Sequence, residues 1–294
     1  MSLDEFVVQT LSGLSRAGLL FIVSAGLSLV FGALRVINLA HGSLYMIGAF
    51  VTSSVVLAVG GDVGVWPALV AAAALAGATG LVVEVAVLRR LYGREPLLQL
   101  LATFAVLLIV SDLVKLVWGS ENRTVARPAG LEGSVELFGG ARFPVYNLYI
   151  IAFALAIGAA LWLLINRTGL GRDIRAAIVD PQMLSGVGVS VPRLFTTVFV
   201  LGAALAGMGG AVVAPASAVG PGMDIDILIE AFAVTIIGGL GSIPGALIGA
   251  AIVGLTQAFG IFFAPDFALA FIFLAMVLVL AVRPSGLFGV PERA

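Results

Sequence analysis

The stretch Phe267-Ala-Leu-Ala-Phe-Ile-Phe-Leu-Ala-Met-Val-Leu-Val-Leu-Ala-Val282 carries no polar side chain along its whole length. Its continuous apolar character is typical of a transmembrane helix, and it lacks the alternation over about ten residues that marks a barrel strand. Comparable runs recur through the 294 residues, of which 61% are hydrophobic and only 11% charged. Because backbone groups in lipid must bond internally, this pattern predicts an all-α, polytopic membrane helical bundle.

The apolar runs predict about eight to nine crossings. Their expected bounds are Phe6–Gly32, Ser43–Val59, Val65–Leu88, Leu97–Trp118, Val145–Ile165, Leu194–Ala214, Leu228–Gly239, Ala246–Phe263 and Phe267–Val282. The run Leu228–Gly239 is short and ends in glycine, so it fits either a full span or a re-entrant half-helix. We expect broken or re-entrant helices within a single transmembrane domain over residues 1–294.

The basic residues predict how the bundle is inserted, because short cytoplasmic loops are enriched in Lys and Arg. Most arginines fall on one side, namely Arg35, Arg89, Arg90, Arg94, Arg167, Arg172, Arg175, Arg193, Arg283 and Arg293. That side includes the loop 166–192, whereas the opposite loop 119–143 mixes arginine with glutamate. We therefore expect the N-terminus outside and the C-terminus in the cytoplasm. The acidic start, with Asp4 and Glu5, is unlike a signal peptide, so the first run is expected to remain as a span.

Several classes of function are disfavoured by composition. The absence of cysteine removes disulfides, thiolate metal sites and a cysteine nucleophile, and a net charge of −1 gives no reason to invoke nucleic acid. The sequence has no phosphate-binding G-x-x-x-x-G-K-[ST] run and no catalytic set of nucleophile, base or metal ligands. We expect no enzyme activity, no metal and no cofactor bound by this chain.

The first polar constellation joins the first two spans. It reads Phe31-Gly-Ala-Leu-Arg-Val-Ile-Asn38-Leu-Ala-His41-Gly42-Ser43 and contains the single histidine of the chain. Polar side chains clustered where one helix stops and the next begins can satisfy the free backbone groups of the helix ends, or they can meet a solute. The spacing leaves two interpretations open: an ordinary turn at the inner face, or a broken helix lining the solute path.

The second constellation lies in the basic loop. Asp180 followed by Pro181 is a favourable N-cap and first-turn pair for a short helix. That helix would end at Gly186 or Gly188 and place Met183, Leu184 and Val187 on one face. An apolar stripe on an exposed loop indicates docking to a partner, although the helix could equally pack back on its own bundle.

The third constellation interrupts apolar sequence with glycine and proline. It comprises Gly238, Gly239, Gly241, Ser242, Pro244 and Gly245. Such a break is tolerated in a membrane only where protein or water satisfies the freed backbone, and it is typical of a transport path. The alternative is a tight cytoplasmic hairpin.

Isolated charges fall within or beside the apolar runs. Arg16 lies well inside the first run and needs an anionic partner or water, for which no neighbouring acid is obvious and a solute carboxylate would serve. Alternatively, residues 6–15 lie along the membrane interface and Arg16 only reaches outward. Glu84 is expected to extend toward Arg89 at an inner helix end, and Asp112 is expected to pair with Lys115.

Together these stretches resemble the branched-chain amino acid (LIV-type) permeases of bacterial ABC importers, and more closely the shorter of the two paired permeases. Phe31–Gly42 fits the family pattern F-G-x-x-x-x-I-N-x-A-H-G, and Gly238–Gly245 fits G-G-x-G-S-x-x-G. Gly171–Gly188 is similar to the family's cytoplasmic loop. The resemblance covers most of the chain, from about Gly13 to Pro284.

The resemblance implies roles for these motifs. Asn38, His41, Gly42 and Ser43, together with Arg16, would line the substrate pathway, and the 238–245 break would act in gating. The coupling helix that seats on an ATPase would comprise Asp180, Pro181, Met183, Leu184, Val187 and Gly188. The family further implies a location in the bacterial inner membrane, a second permease, two cytoplasmic ATPases that hold ATP and magnesium, and an outer solute-binding protein.

The motifs identify the family more closely than they identify the transported solute. Arg16 stands where the family usually has a neutral residue, and the tyrosine expected nearby is absent, which leaves a related small carboxylate or amide open beside branched-chain amino acids. A urea or short-amide permease is one alternative. A secondary transporter or channel acting without an ATPase is another, but it predicts coupled intramembrane charges or internal symmetry, and neither is evident.

Overall fold

The computed structural model describes residues 2–137 and 140–289, and helices dominate it. In chain order these are α1 (Leu3–Leu34), α2 (His41–Val59), α3 (Gly61–Ala86), α4 (Pro96–Trp118), α5 (Val145–Arg167), α6 (Gly169–Val179), α7 (Pro181–Gly186), α8 (Val191–Val213), α9 (Met223–Gly238), α10 (Ile243–Phe263) and α11 (Ala268–Val282). Short 3-10 turns cover Leu88–Arg90 and Pro265–Phe267. Eight of the helices are long and apolar enough to cross a membrane, which confirms the predicted polytopic helical bundle.

The predicted segment bounds agree with the helices to within a few residues. The largest difference concerns α9, which begins at Met223 instead of Leu228 and spans 16 residues. At 1.5 Å per residue its length is about 24 Å, shorter than a hydrocarbon core of about 30 Å. The α9 helix therefore accounts for the difference between eight and nine crossings.

The α1 helix forms the centre of the bundle. Its N-terminus is fixed by a capping box in which the Ser2 hydroxyl accepts a hydrogen bond from the Glu5 amide, and the Glu5 side chain accepts one from Ser2. The helix then runs without interruption for 32 residues and packs against α5, α8, α9 and α10. The interpretation in which residues 6–15 form a separate interfacial segment is therefore wrong.

Small residues allow the central helices to approach closely, as expected where lipid offers no hydrophobic drive for association. At the crossing of α1 with α8, a methyl group on Gly26 would lie 2.7 Å from the Gly202 carbonyl oxygen. At the crossing of α1 with α10, a methyl group on Gly254 would lie 2.5 Å from the Gly13 carbonyl oxygen. Glycine at these positions sets the distance between the helix backbones.

The loop 119–143 holds the one sheet found in the described residues. Strands β1 (Ser134–Glu136) and β2 (Arg142–Pro144) pair antiparallel, with Val135 opposite Phe143. Phe143 is buried at the foot of α5, whereas β1 is exposed. This small hairpin covers one end of the bundle and leaves its all-helical interior unchanged.

Candidate transport pathway and coupling surface

The connection between α1 and α2 turns back into the bundle. The α1 helix ends at Leu34, and Arg35 adopts a left-handed conformation with φ of 54°. Six residues later, the Nε2 atom of His41 lies 2.9 Å from the carbonyl oxygen of Val23. At 1.5 Å per residue, Val23 is about 16 Å before the end of α1. The α2 helix therefore starts about a third of the way back along α1, which favours a broken helix over a turn at the inner face.

Unsatisfied polar atoms gather in this connection. The Val23 carbonyl can only accept, so His41 carries its proton on Nε2. Among the described residues, His41 Nδ1 and both side-chain polar atoms of Asn38 have no hydrogen-bond partner. Both side chains are 1% exposed. Because buried polar groups are nearly always hydrogen-bonded, these atoms are positioned for water or a solute.

Gly42 and Ser43 attach the start of α2 to other helices. Any side chain at Gly42 would collide with the backbone carbonyl of Asp224, at the start of α9. The Ser43 hydroxyl is 3.4 Å from the Leu107 carbonyl of α4. Asp224 is itself buried and accepts a hydrogen bond from the Ser111 hydroxyl. This pairing could not be predicted from the sequence, because the two residues are far apart along the chain.

Arg16 has a protein partner, so the expectation that no acid lies near it is wrong. Its Nη2 atom is 2.5 Å from Glu230 Oε2, and its Nε atom is 3.0 Å from Gln257 Oε1. Gln257 also donates to Glu230 Oε1 at 3.2 Å. The cluster joins α1, α9 and α10. An arginine at a helix centre in lipid costs about 2.5–3.5 kcal/mol to insert, and Glu230 offsets that cost by neutralising the charge.

The glycine-rich break separates α9 from α10. Gly239 and Gly241 have φ of 100° and 83°, values that other residues rarely adopt. Ser242 caps α10 by accepting a hydrogen bond from the Gly245 amide at 3.0 Å, and Pro244 occupies the first turn. A methyl group on Gly241 would lie 2.9 Å from the Cα atom of Gly32 in α1. Protein therefore contacts the break on the side that faces α1, whereas Leu240 and Pro244 are exposed.

The end of α9 is also covered by the last described segment of the chain. The Leu287 amide donates to the Ile237 carbonyl, and the Phe288 amide donates to the Gly238 carbonyl, both at 2.9 Å. These carbonyls belong to the last turn of α9 and would otherwise lack helical partners. The segment after α11 thus completes the hydrogen bonding at the break.

The predicted short helix in the basic loop forms as α7. The Oδ1 atom of Asp180 accepts from the amides of Gln182 and Met183 at 2.9 and 3.0 Å, and Pro181 occupies the first turn. The helix ends at Gly186, and Gly188 follows with φ of 90°. The local prediction for this loop is confirmed, with α6 as an additional helix before it.

The three apolar residues expected on one face of α7 divide between two surfaces. Met183 and Val187 are 72% and 71% exposed, whereas Leu184 is buried. Leu184 belongs to a buried cluster with Ile174 of α6 and Leu194 of α8, so its assignment to the exposed face is wrong. Val179, the last residue of α6, is also highly exposed. We call Val179, Met183 and Val187 the exposed apolar stripe.

The expected proximity of Glu84 to Arg89 is confirmed, but Glu84 is fully buried and does not reach toward the surface. Its carboxylate accepts hydrogen bonds from Arg89, Tyr92 and Thr196, the closest at 2.9 Å. Burial and the neighbouring carboxylate raise the pKa of Tyr92 above its ordinary value, so the phenol stays protonated and donates. Thr196 is in the first turns of α8, just after the loop that holds α7. This network joins that loop to the end of α3.

Two further features concern a surface ion pair and possible metal ligands. Lys115 Nζ lies 3.2 Å from Asp112 Oδ1, so the expected surface pair is confirmed. Within residues 2–137 and 140–289, no three His, Cys, Asp or Glu side chains come together in a way that could hold a metal ion.

Comparison with known proteins gives a consistent result. A family model described as "Branched-chain amino acid transport system / permease component" matches residues 9–280. The permease protein BraD of Pseudomonas aeruginosa is 29% identical over 98% of this chain and 97% of its own length. LivH of Escherichia coli K12 is 29% identical over 98% and 96%, and a probable LivH of Methanocaldococcus jannaschii is 26% identical over 93% and 90%. The names of all three describe them as branched-chain amino acid transport permeases.

Proposed function

Because this multi-pass membrane chain belongs to the family of branched-chain amino acid transport permease components, we propose that it is one membrane-spanning subunit of an ATP-driven importer. The proposed solutes are branched-chain and other hydrophobic amino acids, as the names of the full-length relatives suggest. In this proposal the chain carries the solute across the membrane, and partner subunits hydrolyse ATP.

The observation that carries the ATP-driven part of the proposal is the exposed apolar stripe. Met183 lies on α7 and Val187 directly follows it, and this helix is capped at Asp180 and anchored to the bundle through buried Leu184. A rigid helix that presents apolar side chains outside the bundle suits docking in a groove of another protein. The partner proposed here is a cytoplasmic ATPase, present in two copies, which binds ATP and magnesium.

The remaining partners follow from the same proposal. A second permease subunit would complete the path, and an outer solute-binding protein would deliver the solute. Asn38 and His41 would contribute to the path, since their free polar atoms lie inside the bundle. The break between α9 and α10 would open and close the cytoplasmic end of the solute path. Its backbone is held by contacts with α1 and with the segment after α11, and these contacts can separate without unfolding a helix.

The proposal is tested with the assembled complex in proteoliposomes. ATP-dependent uptake of radiolabelled leucine, supplied with its binding protein, should be inhibited by isoleucine and valine but not by urea or acetamide. Uptake that needs no ATP, or that responds to amides instead, would contradict it.

A pair of variants at one position tests the docking helix. Met183→Glu places a charge in the apolar contact and should abolish the stimulation of ATP hydrolysis by loaded binding protein, together with uptake. Met183→Leu retains an apolar side chain of similar volume and should behave like the unmodified protein. If the glutamate variant transports normally, α7 is not the docking element.

A further inference from the structure

We propose that Glu84 is a positioning residue that makes the end of α3 follow the movements of the docking helix α7. The Thr196 hydroxyl, in the first turns of α8, would carry the connection from the α7 loop to the Glu84 carboxylate. We call this contact the Glu84–Thr196 tie. The inference rests on the proposed docking of an ATPase at α7, and it adds the route by which a movement of that partner reaches the spans.

The Glu84 carboxylate collects hydrogen bonds from the connection after α3 and from α8. Arg89 binds both of its oxygens, through Nη2 at 3.0 Å and through Nε at 3.3 Å. The Tyr92 hydroxyl donates to Oε1 at 3.0 Å, and Thr196 Oγ1 lies 2.9 Å from Oε2. Because a buried carboxylate is stable only when it is paired and hydrogen-bonded, separating any of these donors from Glu84 is costly.

The Thr196 hydroxyl is arranged to connect α8 to the ion pair. Its oxygen accepts a hydrogen bond from Arg89 Nη2 at 2.6 Å, and its single proton remains to be donated. Two acceptors are within reach, the Glu84 carboxylate at 2.9 Å and the Pro192 carbonyl at 2.8 Å. The carboxylate is the stronger acceptor because it carries charge. The hydroxyl therefore contacts both members of the Glu84–Arg89 pair.

Close packing extends the tie along both helices. The rings of Tyr92 and Phe195 meet edge to face, with centroids 5.6 Å apart. Farther along the helices, a methyl group on Gly80 would lie 2.5 Å from the Cβ atom of Ala203. Closely packed interiors shift as units and do not deform continuously. We therefore expect α3 and α8 to move as one body.

This body links the docking helix to the connection between α1 and α2. At the α7 end, Leu184 belongs to a buried cluster with Leu194 of α8. The α2 helix packs against both α3 and α8 and begins at His41, whose Nδ1 atom has no hydrogen-bond partner among the described residues. A displacement of α7 would thus reach the start of α2 through α8 and α3. The break between α9 and α10 is held instead by α1 and by the segment after α11, so the body can move relative to it.

The experiment removes the tie without removing a charge, in the assembled complex in proteoliposomes with leucine and its binding protein. Thr196→Val keeps the shape of the side chain and the Glu84–Arg89 pair but loses the hydroxyl. We expect the ATP hydrolysed per leucine transported to rise by about threefold or more, within the range expected for a residue of a coupling network. Thr196→Ser retains the hydroxyl and should resemble the unmodified complex. The control Thr197→Val removes a neighbouring hydroxyl that bonds to the Arg193 carbonyl of its own helix, and it should leave the ratio unchanged.

The ratio separates a positioning role from a merely structural one. A structural role would lower the amount of assembled complex or its thermal midpoint, but each assembled complex would still transport the same amount of leucine per ATP. An unchanged ratio in Thr196→Val would overturn the proposal, and so would an equal rise in Thr196→Ser or in Thr197→Val. Absence of ATP-driven uptake in the unmodified complex would instead refute the proposed function.

Distances between spin labels decide the matter if Thr196→Val does not assemble. Because the chain has no cysteine, nitroxide labels can be placed at chosen positions once the cysteines of the partner subunits are replaced by serine. Ala86 at the end of α3, Ser190 just before α8 and Leu240 in the break are all exposed. On ATP binding, the distance between labels on Ala86→Cys and Ser190→Cys should stay constant, whereas the distance between labels on Ser190→Cys and Leu240→Cys should change. Any other combination of results overturns the proposal.

Discussion

Gly42 shows how one residue fixes a contact between two irregular parts of the bundle. It lies in the first turn of α2, directly against the backbone of Asp224 at the start of α9. Both helices begin here after non-helical segments, so neither position is fixed by a long regular helix before it. The missing side chain allows the two helix starts to touch, and the buried Asp224–Ser111 hydrogen bond adds α4 to the contact.

Substitution of this glycine should therefore destabilise the protein. Gly42→Ala introduces a methyl group that must push the Asp224 carbonyl away, and overpacking of this kind costs about 1–3 kcal/mol. We expect a lower thermal unfolding midpoint for the purified complex. The matched control is Gly77→Ala in α3, where the nearest atom to the added methyl group is 3.5 Å away. Equal midpoints for the two variants would show that the contact can relax at no cost.

At the level of residues, the sequence predicted local interactions and missed long-range partners. Asp180 as a cap and Asp112 with Lys115 were predictable, because each involves neighbours on one helix. Glu230 as the partner of Arg16 was not predictable, since it depends on the register between α1 and α9. Leu184 was misplaced for a related reason. Helical periodicity gives a face, but only the packing of α7 on α6 and α8 decides which part of that face is covered.

At the level of elements, the segment after α11 acts as part of the break between α9 and α10. Two backbone hydrogen bonds hold it there, from Leu287 to Ile237 and from Phe288 to Gly238. Gly286, with φ of 78°, lies against Gly239, and a methyl group there would be 2.5 Å from the Ile236 carbonyl. Any opening of the inner end that moves α9 must therefore break or carry along this segment.

This arrangement predicts a specific effect of proline. Leu287→Pro removes the N–H that satisfies Ile237 and leaves that carbonyl without its partner, at a cost of about 1–3 kcal/mol. We expect the thermal midpoint to fall below that of Leu287→Ala, a variant that loses the side chain but keeps the amide. A proline variant as stable as the alanine variant would mean that water replaces the hydrogen bond.

The number and limits of the helices were largely predictable, because the length of an apolar run is set by the membrane. The path of the connections was not. The sequence around Asn38 and His41 shows where α1 stops and α2 starts, but it does not show that the chain runs back to the level of Val23. That direction depends on tertiary contacts, in particular the bond from His41 to the α1 backbone and the fit of Gly42 against α9.

At the level of the whole molecule, the two ends of the bundle differ in charge. The end that holds α7 also holds the Glu84–Arg89–Thr196 network, the 238–245 break and Arg283. At the other end, the outer loop pairs with the chain after α8 through Arg123 and Val219. The concentration of arginine at the α7 end predicts that this end faces the cytoplasm. The proposed docking helix therefore lies at the arginine-rich end of the bundle.

The absence of cysteine from the chain allows a direct test of this orientation. Ser134 in β1 and Ser190 just before α8 are both exposed and lie at opposite ends of the bundle. With a membrane-impermeant maleimide, Ser134→Cys should be labelled in intact spheroplasts, because β1 would lie outside. Ser190→Cys should be labelled only after the membrane is permeabilised. The two substitutions are chemically identical, so each controls for the reactivity of the other. Labelling of Ser190→Cys alone in intact spheroplasts would reverse the orientation, and it would place α7 on a side of the membrane where no ATPase can reach it.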